Sequence, residues 1–136
     1  PWPTPDLAPF GWTLGGHPPL HILPAGMTAP HLPPSVRIER IESVDRLDLF
    51  GRIGAEAFAI ELPPDAPSPA LFGPALLDDP ALGLWLAYRD GVPAGAAFAR
   101  AANGINHVVM VATLPGHRGK GVGTALTWAA STLDPA

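Results

Sequence analysis

Cysteine is absent from the 136-residue chain, which excludes disulfides, thiolate metal sites and a cysteine nucleophile. Basic residues are few, 8 Lys and Arg against 12 Asp and Glu. They never cluster, so neither a nucleic-acid footprint nor a patch for an anionic membrane is present. No stretch approaches the roughly 18 uncharged apolar residues of a membrane span, and the N-terminus lacks the basic start and apolar core of a signal peptide. A cytoplasmic protein is therefore expected. Charge of either sign is thin, at 15%, while 47% of the chain is hydrophobic. A net charge of −4 gives too little self-repulsion for a disordered polymer, and a packed core is expected.

Proline and glycine are abundant, with 19 and 15 residues. Ten of the prolines fall within the first 35 residues, where Asp6 is the single charge. Proline removes backbone donors and blocks the preceding turn, so residues 1–34 read as an extended arm packed on the domain, or as the tail of a preceding module. Leu20 to Leu23 is a candidate edge strand in it. Residues 35–136 have the size of one small domain. The chain starts at Pro1 without Met and stops at Ala136 straight after a helical pattern, so a piece of a longer polypeptide is expected.

Within the domain, Val36 to Ile41 begins with the alternation of a half-buried strand. Ser43 is a candidate N-cap, and Val44, Leu47, Phe50, Ile53, Ala57 and Phe58 recur at spacings of three and four, predicting a helix from about Val44 to Phe58. Four prolines impose a loop over residues 62–69, and Ala70 to Leu77 has material for two helical turns. Leu84 to Tyr88 reads as a strand, Asp90-Gly91 as a tight turn and Val92 to Arg100 as the return strand. Asn103-Gly104 repeats the turn signal before Ile105 to Thr113. That strand is the most apolar, which places it at the sheet centre. Thr124 to Leu133, rich in Ala and Leu, is helical.

Between that last strand and helix stands Arg118-Gly119-Lys120-Gly121-Val122-Gly123. A strand, a glycine-dense turn and a helix in succession leave unpaired amides at a helix N-terminus, a place where phosphate binds. A Walker A loop fails because no Ser or Thr follows Lys120. A dinucleotide fingerprint is weakened because the third glycine comes one place early and the strands read as a meander. The segment matches the Arg/Gln-x-x-Gly-x-Gly/Ala motif, and with Val111 to Pro115 before it and Ala125-Leu126 after it the chain resembles the GNAT superfamily of N-acetyltransferases over roughly Val36 to Leu133.

The resemblance implies an α/β (α+β) fold with a mixed, mainly antiparallel sheet flanked by helices, cut short after the motif helix. It also implies acetyl-CoA as co-substrate, held by Arg118, Gly119, Lys120, Gly121, Val122, Gly123 and Thr124 at the pyrophosphate and by the backbone of Val111, Ala112 and Thr113 along the pantetheine arm. Glu at position 121 or 123 should then block the loop, and Lys120→Ala should only weaken it. The reaction implied is direct attack of an amine on the acetyl thioester, with an oxyanion donor near Ala112 and His107 as the candidate base. The acid of such enzymes is often a Tyr on a later helix, and the single Tyr88 stands elsewhere. The acceptor is a small-molecule or peptide amine, with neither nucleic acid nor membrane as partner.

Two other readings stay open: a non-catalytic CoA-binding or regulatory module, as a homodimer or as half of a tandem pair with the arm as interface, and a fragment of a nucleotide-binding oxidoreductase. His17 and His21 are four apart, but Pro18 and Pro19 between them argue against a helical metal site, and no metal is expected. His117 is read as an exposed loop residue near the phosphate. Glu56, Glu61, Asp65, Asp78 and Asp79 are candidate acceptor-site acids, and Trp2, Trp12, Trp85 and Trp128 read as packing residues.

Overall fold

The computed structural model describes residues 8–11, 21–61 and 72–133. Trp2, Trp12, His17, Leu20 and Asp65 lie outside them. Four strands, β1 (Val36–Arg40), β2 (Leu82–Arg89), β3 (Val92–Ala102) and β4 (Ile105–Thr113), form one antiparallel sheet in chain order. Helix α1 (Leu47–Ala57) covers one face and α2 (Val122–Ser131) the other. The architecture is α+β in three layers. No helix among the described residues is long and apolar enough to cross a membrane.

Both hairpin turns form where Asp-Gly and Asn-Gly stand. Asp90 and Gly91 have φ of 53° and 80°, Asn103 and Gly104 52° and 74°. Two successive positive values define the turn whose twist matches paired strands. The strand expected at the centre, β4, is instead an edge strand among the described residues, because β1 takes the free side of β2. Its apolar character is spent partly on solvent: Ile105 and Val109 are 69% and 51% exposed.

The apolar face predicted for the first helix is narrower than its sequence pattern. Leu47, Phe50 and Ile53 are fully or nearly fully buried, whereas Val44 and Phe58 are half exposed. Val44 belongs to a preceding 3-10 turn, Val44–Arg46, and Phe58 lies past the helix end. Ser43 occupies the cap position of that turn without a capping hydrogen bond from its side chain. At the other end, Ile60 N–H bonds to Ala55 O at 2.8 Å and Ala59 N–H to Glu56 O at 3.2 Å. This is a Schellman closure, with Ala59 at φ 53° where glycine is usual. Of the stretch expected to make two helical turns, Ala70 and Leu71 lie outside the described residues, and residues 72–77 hold a 3-10 turn, Pro74–Leu77; Gly73 and Pro74 interrupt regular hydrogen bonding.

Strand β3 is built largely of alanine, and this lets both helices approach closely. Ala96 faces the α1 side, with Leu84, Leu86 and Ala112, while Ala97, Ala99 and Ala101 face α2, with Val122 and Leu126. A Cβ on Gly95 would lie 2.8 Å from Leu126 Cδ1 and 2.6 Å from Ala112 O, so α2 rests directly on that backbone. The far end of α2 is tied down by Asn106, whose amide nitrogen donates to Ser131 O and Leu133 O at 2.9 and 2.7 Å. Trp85 is buried on the α2 face, as its packing reading requires. His21 to Leu23 form no strand, and Ile22 is 79% exposed. Among the described residues of the arm, only Pro30, Leu32 and Pro33, at its end, are half-buried.

Candidate functional site

At the C-terminal end of β4 the chain makes a short 3-10 turn, Pro115–His117, and enters α2 through Gly121, its N-cap, at φ 81°. Gly119 is also left-handed, at φ 70°, while Lys120 between them is not. This alternation of hand turns successive amides toward one side, the concavity called a nest, which attracts anions. The first helical hydrogen bond from beyond the cap is Ala125 N–H to Gly121 O at 3.0 Å. Among the described residues the amides of Gly119, Lys120, Gly121, Val122, Gly123 and Thr124 have no acceptor, leaving six consecutive residues with free donors at the positive end of the helix.

The three glycines serve differently. Gly119 has open space where a Cβ would stand, and Gly123, inside the helix, would bring a Cβ to an ordinary 3.5 Å from Thr113 Oγ1. At Gly121 a Cβ would fall 2.7 and 2.8 Å from Pro33 Cγ and Cδ. Glu at 121 would thus collide with the protein before any ligand is considered, and only position 123 gives a clean test of access.

The two basic side chains brace the loop. Arg118 donates from Nε to Thr113 O at 3.2 Å and from Nη2 to Ala57 O at 3.0 Å, joining the end of β4 to the end of α1. Lys120 Nζ donates to Gly116 O at 2.8 Å. Both remain exposed, so their charge still reaches solvent beside the amides. His117 is half-buried rather than an exposed loop residue, and its Nδ1 is buried without a hydrogen-bond partner.

Alternation along β4 sorts Val111, Ala112 and Thr113. Leu114 N–H bonds to Ala94 O at 3.0 Å. In the register Ala96↔Ala112 and Gly95↔Thr113, Ala112 therefore pairs inward with β3, and Val111 and Thr113 turn their backbone groups to the open edge. The Arg118 bond to Thr113 O agrees with that direction. Upstream, the register shifts between Phe98 and Ala99, leaving Val109 as the extra residue of a bulge. Val108 and Val111 consequently pack on the same face although three apart. His107, two residues before the bulge, is exposed and pairs across the strands with Arg100.

Among the expected acceptor-site acids, Glu56, Glu61, Asp78 and Asp79 are not brought together at the loop. Glu56 and Glu61 are exposed around the end of α1, and Asp79 Oδ1 accepts from Ala81 N–H at 2.9 Å, closing the turn into β2. Among the described residues no group of three or more His, Asp and Glu is placed to hold a metal. Sequence reasoning missed Pro33; a proline pair just before the first strand was its only signal.

Helices on both faces of an antiparallel sheet, with a glycine-rich turn leading from β4 into α2, define an α+β domain with an anion-receptive helix end. The chain belongs to the GNAT family of acetyltransferases: the family model described as Acetyltransferase (GNAT) family matches residues 50–133, more than half of the chain. Among solved structures it is similar to a GCN5-related N-acetyltransferase from Kribbella flavida, at 25% identity and a TM-score of 0.55, over 85% of this chain and 43% of that one. The fold also matches AAC(6')-Iy, solved with a CoA-linked bisubstrate analogue, at 21% identity and a TM-score of 0.55, over 70% and 68% of the two chains. An aminoglycoside acetyltransferase from an uncultured soil metagenomic sample matches at 16% identity and a TM-score of 0.57, over 70% and 66%. The chain thus spans less than half of the first relative and about two-thirds of the others. No curated protein matches by sequence.

Proposed function

We propose that this chain binds acetyl-CoA through the amides of Gly119 to Thr124 and takes part in transfer of the acetyl group to an amine acceptor. The observation that carries the reading is the run of six consecutive amides without acceptors, opened by left-handed Gly119 and Gly121. A pyrophosphate supplies the acceptors and the charge that this helix end lacks. The edge-facing backbone of Val111 and the N–H of Thr113, whose carbonyl already accepts from Arg118, then take the pantetheine arm as an added strand, with Ala112 contributing its place in the ladder rather than a free group. Arg118 and Lys120 hold the loop in shape and add charge beside it.

For the chemistry, the acceptor nitrogen attacks the thioester carbonyl, the C–S bond breaks and coenzyme A leaves. We assign His107 as the base that removes the proton from the amine, since it is exposed on β4, two residues before the bulge. The developing oxyanion has an amide at hand on the open edge at Val111. The aminoglycoside acetyltransferases among the structural matches make a small polyamine-like acceptor a reasonable first choice. Residues 35–136 form the proposed coenzyme domain, with the arm 1–34 as an accessory.

Calorimetric titration with acetyl-CoA, with NAD as comparison, tests the reading. Micromolar binding of acetyl-CoA is expected, lost in Gly123→Glu, a variant whose fold is checked by circular dichroism. Preference for NAD, or no binding by a folded chain, overturns it. In an acetylation assay His107→Gln should lower kcat and leave acetyl-CoA affinity unchanged; an unchanged kcat removes the base assignment.

A further inference from the structure

The arm meets the coenzyme loop at Pro33 and Gly121, and the arm's side of that contact is fixed. Pro33 has φ fixed by its own ring, and Pro34 after it restricts its remaining backbone freedom. Pro33 O accepts from Val36 N–H at 3.0 Å, closing a turn, and Ser35 O accepts from Asp90 N–H at 2.9 Å. The second bond fastens the turn to the β2–β3 hairpin, itself fixed by Asp90 and Gly91 at positive φ. The pyrrolidine ring is thereby held against Gly121, filling the volume that a side chain at 121 would need, with Cγ and Cδ 2.7 and 2.8 Å from that Cβ position.

Gly121 is the left-handed cap whose conformation aims the neighbouring amides. A glycine there, free to take either hand of φ, would leave the nest to be ordered by the ligand. We propose that Pro33 is a positioning residue for coenzyme binding: its ring holds Gly121 in the left-handed conformation, so that the amides of 119–124 converge before the pyrophosphate arrives. The inference rests on the coenzyme reading of the loop. It also gives the arm a role in the site itself, from a segment outside the motif and 88 positions before Gly121 in the sequence.

The test uses the full chain and its variant Pro33→Ala, which removes the ring and leaves the backbone, with Pro24→Ala, an exposed proline of the same arm, as control. Two quantities are read: coenzyme A affinity by calorimetry, and backbone amide order parameters from NMR relaxation without ligand. Pro33→Ala should weaken coenzyme A about three- to tenfold, the scale of lost preorganisation. It should also lower the order parameters at residues 119–124, with β2 and β3 unchanged, and Pro24→Ala should do neither. Unchanged affinity and unchanged loop order parameters in Pro33→Ala overturn the inference, as do lowered order parameters throughout the sheet, which would mark a merely structural contact. If the unsubstituted chain fails to bind coenzyme A, the functional reading of the loop falls. The relaxation measurement, which needs no ligand, then still decides whether Pro33 holds Gly121.

Discussion

The same substitution made two residues apart, Gly121→Ala and Gly123→Ala, should change stability in opposite directions. At 121 an alanine must adopt φ near 81°, costing on the order of 1–2 kcal/mol. Its methyl also enters the space taken by Pro33 at 2.7 and 2.8 Å, and an insertion of that kind adds about 1–3 kcal/mol. At 123 the backbone is helical and the methyl meets Thr113 Oγ1 at 3.5 Å, so the helix gains the preference of alanine over glycine, up to about 1 kcal/mol. Each kcal/mol moves Tm by about 4–8 °C in a domain of this size. Gly121→Ala should therefore lower Tm by at least about 8 °C, and Gly123→Ala should raise it by about 2–8 °C, in thermal unfolding followed by circular dichroism without ligand. Coenzyme affinity should survive Gly123→Ala, since that position of the motif admits alanine. A Gly121→Ala protein as stable as the parent, or a destabilised Gly123→Ala, would refute the reasoning about this turn.

Asn106→Ala removes two hydrogen bonds from the end of α2 and should cost about 1–3 kcal/mol, read as a lower urea midpoint at unchanged m-value. Ala59→Gly relieves a left-handed alanine at the end of α1 and should stabilise by about 1 kcal/mol in the same assay; a loss would show that the closure does not depend on φ at 59. The Ser43 hydroxyl is the main influence that holds the Asp45 carboxyl below its usual value of 3.8. A lowered carboxylate pKa contributes stability above the ordinary value that is lost as pH falls through the lowered one. Ser43→Ala should return the Asp45 titration, followed by NMR, toward the ordinary value, and no movement would remove that cause.

Periodicity and turn chemistry made most of the fold legible. The alternation of Val36 to Arg40, the Asp-Gly and Asn-Gly pairs and the three-four spacing of Leu47, Phe50 and Ile53 are local signals, and each formed the element it implies. What depends on non-neighbouring residues was not legible. That β4 lies at the edge follows from which side of β2 receives β1, and no pattern inside β4 encodes that choice. The glycine run was readable as a turn into a helix N-terminus with free amides, but not the division of labour within it. That Gly121 answers to Pro33, or that Arg118 reaches back to Ala57, depends on contacts across 88 and 61 positions. The bulge at Val109 was equally hidden, because it arises from register rather than composition.

Alanine in β3 has a thermal consequence. A sheet centre made of methyl groups immobilises no rotamers, since alanine has none to lose, and it exposes less apolar surface on unfolding than branched residues at the same positions would. The heat-capacity increment scales with that surface. This domain should therefore unfold with a small increment for its length and a broad, shallow stability curve, varying less between cold and warm conditions than a domain centred on leucine and isoleucine.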